Sequence, residues 1–502
     1  MAEIINIDLD IMKRFICRLL LTSLVLHSGI SVSAQKLKKS VTWEKIQANP
    51  APLPVIGELL PSPSAMQEGS FWSVGSETLD RDYADFEKYR KYLKETGVGY
   101  ARLQSGWAKT EQVKGVYDFS WIDAHVDGLI AEGIKPWVCL CYGNPIYSDH
   151  GKDLNAKLFP DGEVMDAWLN YVKACVTRYK DKVVLWEVWN EPDGGKKKDS
   201  YPLYANLYIR TAELIREIAP QAKIAALSVC KPDKEYIRHF LRIVGEKNKI
   251  GLIDYITYHA YEPHPEKIVP HVEQLRKDVD AYSPSIGLIQ GETGCPGQLE
   301  YGHAMKGIEW TEYSQAKWDL RQSLSHFGMG VPYSFFTMVD LNYGWMLQSF
   351  GLIRMNGRKV PVYKRPKFYA VQHVTSVFTP DMKSTHDVKV SAPDEVELSS
   401  YGLCKGGSDV GCVLWLSDKR PGSSLKRQSM DITVEGMTFV DPVYVDMLTG
   451  KVHDLSGLKK KVRGTKTVFK KLPVWDSPVL IIERSAINIV IPDKSSLSHA
   501  SC

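Results

Sequence analysis

The run Val183-Val184-Leu185-Trp186-Glu187-Val188-Trp189-Asn190-Glu191-Pro192 decides the fold. Its aromatic and β-branched residues suit a short strand buried on both faces. The run stops in a polar turn whose proline cannot continue a ladder. Seven further runs of the same character flank it, at 70–75, 98–104, 134–141, 223–229, 252–260, 286–291 and 331–339. Between them lie amphipathic stretches with apolar residues three and four apart: Tyr83–Glu95, Val164–Tyr179, Tyr204–Ile218, Tyr236–Gly245 and Thr311–His326, with Ser200 and Asp233 placed as N-caps. Eight strand–helix units over residues 70–376, about 38 residues each, predict an α/β chain folded as a (β/α)8 TIM barrel. The alternative, a doubly wound open sheet, lacks the GxGxxG expected after a strand.

Outside the barrel the character changes twice. Residues 35–69 are rich in Lys and then Pro, which suits an extended lead-in rather than a packed element, one that could lend a strand to the C-terminal domain. After the barrel domain, taken as 70–378, alternating short strands and turns over 379–486 predict a C-terminal antiparallel β-sandwich domain, followed by a poorly ordered tail at 487–502. At the other end, Lys13 and Arg14 precede the apolar run Phe15–Leu26, and small residues lead to Ala34. This reads as a signal peptide spanning 1–34, so that the mature chain is secreted or periplasmic and not inserted in a membrane. The acidic residues Glu3, Asp8 and Asp10 favour Met12 as the true start.

The chain has 502 residues, 44% hydrophobic and 24% charged, which excludes disorder. With 63 basic and 59 acidic side chains its net charge of +4 argues against a general affinity for nucleic acid. A basic run from Lys459 to Lys471 could attract an acidic polymer or simply guard a sheet edge. The nine cysteines show no CxxC spacing, and no metal site or cofactor is expected. Cys139, Cys141, Cys175, Cys230 and Cys295 sit in apolar segments as small hydrophobes, while Cys404 and Cys412 flank a hairpin loop and could be bridged.

In such a barrel the active site lies where the strands end. The fourth strand ends in Asn190-Glu191-Pro192 and the seventh in Gly291-Glu292-Thr293. Two carboxylates facing each other across a barrel mouth supply a general acid and a nucleophile. Glu187 shares side-chain parity with Glu191 but lies deeper, so a partner Arg or Lys is expected for it. Aromatic rings at or after strand ends, Trp72, Trp107, Tyr142, Tyr147, Trp310, Phe336 and Trp345, can stack on sugar faces; Trp107 and Trp345 are the favoured platforms, with Tyr142 and Asn144 lining the cleft. Glu77 and Asp80, after the first strand, could bind hydroxyls or favour a helix start.

The strand-four Asn-Glu-Pro with a strand-seven Glu in an eightfold barrel resembles the retaining glycoside hydrolases of clan A over residues 70–376. With its accessory sandwich the chain is similar to family 39, the β-xylosidase and α-iduronidase type. The resemblance implies an exported glycosidase that cleaves O-glycosidic bonds of plant- or host-type oligo- or polysaccharides. It implies Glu191 as acid/base and Glu292 as nucleophile, with Asn190 on the sugar 2-hydroxyl and Arg102 keeping Glu292 ionised. In Tyr258-His259-Ala260-Tyr261, Tyr261 would position the nucleophile and His259 would meet substrate or the acid. The acid must keep its proton near neutral pH, so the charge of Glu292 is expected to raise the Glu191 pKa. A barrel that binds carbohydrate without activity is the alternative. A metal-dependent hydrolase or lyase would need ligand clusters that the strand ends lack.

Overall fold

The computed structural model describes residues 37–147, 162–194, 200–232 and 234–491. In it the eight apolar runs close into a parallel barrel of Trp72–Gly75, Tyr100–Gln104, Lys135–Leu140, Leu185–Val188, Lys223–Val229, Tyr255–Tyr258, Gly287–Thr293 and Tyr333–Phe335. The ring is sealed where the first strand pairs with the eighth, Val74 opposite Phe335. The expected (β/α)8 fold is therefore the observed one.

The amphipathic stretches form the outer helices Gly162–Tyr179, Tyr201–Ile218, Lys234–Glu246 and Glu312–Gly328, joined by Ser120–Ala131, Val269–Asp280 and Pro366–Val377. Thr311 and Ser314 form a reciprocal capping box at the start of Glu312–Gly328. Ser200 precedes its helix as expected, but its hydroxyl donates to the Pro192 carbonyl at 3.0 Å instead of capping. Asp233 lies outside the described residues.

The helix expected over Tyr83–Glu95 is broken into a short helix, Phe86–Tyr89, and the single turns Arg90–Tyr92 and Lys94–Thr96. Its aromatic residues recur every three positions, at 83, 86, 89 and 92, which matches the tighter 3₁₀ repeat better than 3.6.

Two antiparallel sheets make the expected sandwich. One is four-stranded, and the other has eight strands in the order Met382–Thr385, Leu398–Lys405, Ser408–Leu416, Val479–Glu483, Pro442–Asp446, Lys451–Asp454, Val55–Leu59, Ile489–Val490. The lead-in thus supplies a strand, and it also holds the helix Val41–Gln47, capped by the Ser40 hydroxyl accepting from the Trp43 amide. The segment expected as tail is ordered through Ile491, because Ile489 and Val490 pair with Leu59 and Glu58. Cys404 and Cys412 are both free: the hairpin register sets Cys404 opposite Asp409 and Cys412 opposite Gly402.

The helix Glu312–Gly328 is buried on nearly every side between barrel and sandwich, and it is tied to the sandwich through the buried cations Lys317, on Asp476 at 2.6 Å, and Arg321, on the Lys419 carbonyl at 2.9 Å. The basic run falls on the exposed edge strand Lys460–Arg463, while Lys466 and Lys470 pair with Glu435 and Asp431. No helix among the described residues is long and apolar enough to cross a membrane, and the 1–34 segment lies outside them.

Candidate active site

The catalytic end of the barrel is built by departures from regular strand geometry. In a strand, neighbouring side chains point to opposite faces, yet Asn190 and Glu191 both line the same cavity. They can do so because Trp189 and Glu191 adopt left-handed backbone conformations, φ 72° and 50°. The fifth strand makes a similar turn: Leu227 and Ser228 have φ 82° and 52°, and its register with the sixth strand slips between Leu227 and Val229. Such bulges re-aim side chains, and left-handed non-glycine residues concentrate at functional sites. The cavity they border encloses about 710 Å³ at the barrel mouth.

Arg102, fully buried on the second strand, organises its floor. Its Nε donates to Glu187 at 2.7 Å, and one terminal nitrogen donates to Glu77 at 3.2 Å and Glu292 at 3.1 Å. The other donates to Asn190 Oδ1 at 2.7 Å and Ser228 Oγ at 3.1 Å. Three carboxylates thus share one guanidinium, whose planar fork is suited to several oxygens at once. Glu187 is the structural partner expected from its depth; its second oxygen accepts from Thr257 at 2.6 Å.

The two strand-end glutamates differ in surroundings. Glu292, 12% exposed, accepts from Arg102 and, at 2.6 Å, from the Tyr261 hydroxyl, so both oxygens are held by donors. Glu191 is 35% exposed and bonds His259 Nδ1 at 2.8 Å. An oxygen of Glu191, an oxygen of Glu292 and a His259 nitrogen lie within 4.8 Å of one another. This is the one group among the described residues with the ligand types and spacing for a metal ion. Its atoms are already engaged, however: His259 Nδ1 bonds Glu191 at 2.8 Å, and each Glu292 oxygen accepts a hydrogen bond, from Tyr261 or from Arg102. The arrangement is a hydrogen-bonded acid–base network.

The proton distribution corrects one expectation. Burial would raise the Glu191 carboxyl, but the His259 hydrogen bond and charge outweigh it and hold Glu191 below its usual range. Burial would lower His259, but the charge of Glu292 and the bond to Glu191 raise it. Before substrate enters, the proton of this pair therefore sits on the imidazole side.

Glu77 behaves oppositely: burial, opposed by Arg102 and reinforced by Glu292, pushes it up to about 7. It folds back over Gly75, where a Cβ would meet Glu77 Oε2 at 2.2 Å, so a larger residue there would have to displace the carboxyl. A carboxyl whose folded pKa exceeds its ordinary 4.5 binds a proton that the unfolded chain has lost. Stability should therefore fall as pH rises from about 4.5 through 7, by about 3 kcal/mol for a shift of this size. The variant Glu77→Gln is expected to lose that portion of the fall; denaturant unfolding of both proteins at pH 5 and pH 8 measures it, and equal slopes would refute the assignment.

Of the other residues singled out in the sequence, Tyr142 lines the cavity, its hydroxyl accepting from Gln104 at 3.2 Å. Trp107 does not: its ring is buried, stacked between Tyr147 and Tyr171, and its indole N–H donates to Glu111 at 2.6 Å. Asn144 is likewise spent on its own loop, donating to the Glu111 carbonyl at 2.7 Å and accepting from the Ile146 amide. Trp345 is 70% exposed and stacks on His303, so it stands at the rim, outside the wall formed by His303 and Tyr343. Asp80 pairs with Arg81 at 3.3 Å.

Arg81, Gln104, Ser228 and Tyr343 were missed. Arg81 bonds Gln104 and lies over the rings of Tyr83 and Tyr142 at 5.4 Å each. Its signal was a lone cation among aromatics after the first strand; that of Ser228 was a hydroxyl in an otherwise apolar strand.

Comparison with known proteins follows the same line. Residues 70–279 match the sequence profile of glycosyl hydrolases family 39. The chain is 23% identical over 184 residues to a β-xylosidase of Geobacillus stearothermophilus, an alignment covering 33% of this chain and 35% of that enzyme. The chain thus spans about a third of the length of that curated relative. Its fold is similar to a family 39 glycoside hydrolase from Bacteroides cellulosilyticus WH2, with TM-score 0.60 and 16% identity over 84% of this chain and 82% of that one. It is also similar to a monomeric β-xylosidase from Caulobacter crescentus CB15, with TM-score 0.53 and 18% identity over 85% and 97%.

Proposed function

From a barrel that resembles the family 39 glycoside hydrolases in both sequence profile and fold, we propose that this chain hydrolyses O-glycosidic bonds by double displacement. The observation that carries the reading is the spacing of Glu191 and Glu292, one oxygen of each lying within 4.8 Å of the other. Inverting enzymes hold their carboxyl groups roughly 6.5–9.5 Å apart to admit a water, whereas a retaining pair sits at about 5–5.5 Å.

Glu292, held by hydrogen bonds from Tyr261 and Arg102, attacks the anomeric carbon and forms a glycosyl-enzyme ester. The leaving oxygen takes its proton through Glu191, to which His259 passes the one it holds along the 2.8 Å bond. Water then enters, Glu191 accepts its proton, and the resulting hydroxide attacks the same carbon and frees Glu292. Asn190 borders the cavity where a 2-hydroxyl would lie. The substrate class is the glycone of an oligo- or polysaccharide. Export belongs to this reading, supported by Lys13, Arg14 and the apolar run Phe15–Leu26.

A panel of aryl glycosides tests it, beginning with the xyloside because β-xylosidases are among the similar proteins. Glu191→Ala is expected to lose about 10²–10⁴-fold on substrates with poor leaving groups. Azide should restore turnover and yield a glycosyl azide of retained configuration. A silent wild type on aryl glycosides and on oligosaccharides would overturn the proposal.

A further inference from the structure

We propose that Ser228 is a positioning residue whose hydroxyl couples the two catalytic carboxylates, joining Arg102, which holds Glu292, to His259, which holds Glu191. The inference rests on the reading of these glutamates as acid/base and nucleophile. Ser228 is fully buried, and its Oγ lies 3.1 Å from an Arg102 nitrogen and 2.8 Å from His259 Nε2. Its carbonyl accepts from the Glu191 amide at 2.9 Å, so the same residue also fixes the backbone that carries the acid. The chain reaches this point only through two consecutive left-handed residues and a slipped register.

The hydrogen-bond inventory gives the hydroxyl a defined task. Arg102 can only donate, so one Oγ lone pair is taken. The hydroxyl hydrogen is then free to donate to Nε2 of a neutral His259, which leaves Nδ1–H to donate to Glu191. When His259 is doubly protonated, Nε2–H donates to the second Oγ lone pair and the hydroxyl hydrogen turns away. Ser228 thus accommodates both protonation states without moving a heavy atom.

The charged groups facing His259 are Glu191 from the fourth strand, Glu292 at 3.9 Å from the seventh and Arg102 from the second, itself bound to Glu77 and Glu187. When Glu292 becomes an ester, Arg102 loses one anionic partner and its positive charge is less compensated. Across the Ser228 bridge that change disfavours the second proton on His259. Glu191 then faces a neutral imidazole and accepts a proton from water.

The test separates hydroxyl from backbone. Ser228→Ala removes the hydroxyl and keeps a Cβ at φ 52°, whereas Ser228→Gly removes the hydroxyl and suits that φ. Without Oγ the doubly protonated imidazole loses an acceptor, so both variants are expected to move the alkaline limb of kcat/KM toward lower pH by about one unit. Imidazole ¹⁵N spectra, with His259→Gln assigning the resonance, should show wild-type His259 carrying its proton on Nδ1 when neutral, and a mixture of tautomers in both variants. If Ser228→Gly keeps the wild-type spectrum and pH profile, the hydroxyl has no such role and the proposal falls. The spectra need no substrate, so they decide the coupling even where the glycosidase reading itself fails.

Discussion

Replacing Glu292 by alanine should lower kcat by at least about 10⁴-fold while leaving the fold intact. Covalent catalysis cannot proceed without a nucleophile, and the remaining groups only bind and donate protons. The fold should tolerate the change because Arg102 keeps Glu187 and Glu77 as partners, and Tyr261 packs at right angles to Phe336 and near-perpendicular to Phe350. Removing one of three carboxylates from a single guanidinium also relieves repulsion, so the variant is expected to be at least as stable as the wild type. Azide should rescue it with inversion, since the small anion enters from the face that the carboxylate vacated. The opposite outcome from Glu191→Ala, retention, makes the pair diagnostic. A Glu292→Ala enzyme keeping more than about a hundredth of wild-type kcat would contradict the assignment.

The largest effect on stability should come from Arg102→Met. The guanidinium is wholly buried and is the shared ion-pair partner of Glu77, Glu187 and Glu292. Removing one partner of a buried ion pair leaves uncompensated charge and costs about 3–5 kcal/mol. The loss should be greatest near neutral pH and shrink in acid, where the stranded carboxyls take up protons. Arg102→Lys should recover only part of it, because an ammonium cannot reach five acceptors spread over four strands and the turns that follow them. Unfolding free energies at pH 5 and pH 7 measure both variants. A methionine variant as stable as wild type at pH 7 would show that the cluster is neutral without its arginine.

The barrel was legible because its strands are written in Val, Ile, Trp and Tyr, and because residues that end strands are the ones that face the mouth. Glu191 and Glu292 follow from that rule, Arg102, Asn190, His259 and Tyr261 follow from the resemblance to clan A, and the structure brings all six into one hydrogen-bonded network. Trp107 and Asn144 also follow strands, but Glu111, whose position relative to them no sequence spacing reveals, takes their polar groups. Ser228 was hidden for the opposite reason. Strand parity assigns it a direction, and two left-handed residues reverse that assignment. The proton on His259 was missed because like charge between Glu191 and Glu292 is visible in a sequence, whereas a 2.8 Å contact to an imidazole is not.

The pairing of Glu58 and Leu59 with Val490 and Ile489 sets a timetable. About 430 residues must be synthesised after the first of these strands before its outer neighbour exists, which at roughly 5–20 residues per second is about 20–90 s. Throughout that interval the barrel can form from contiguous units, but one edge of the larger sheet waits for Ile489 and Val490. Pairing with Ile489 and Val490 is what covers Glu58 and Leu59, and a chain interrupted short of Ile489 carries an open, pairing-competent edge.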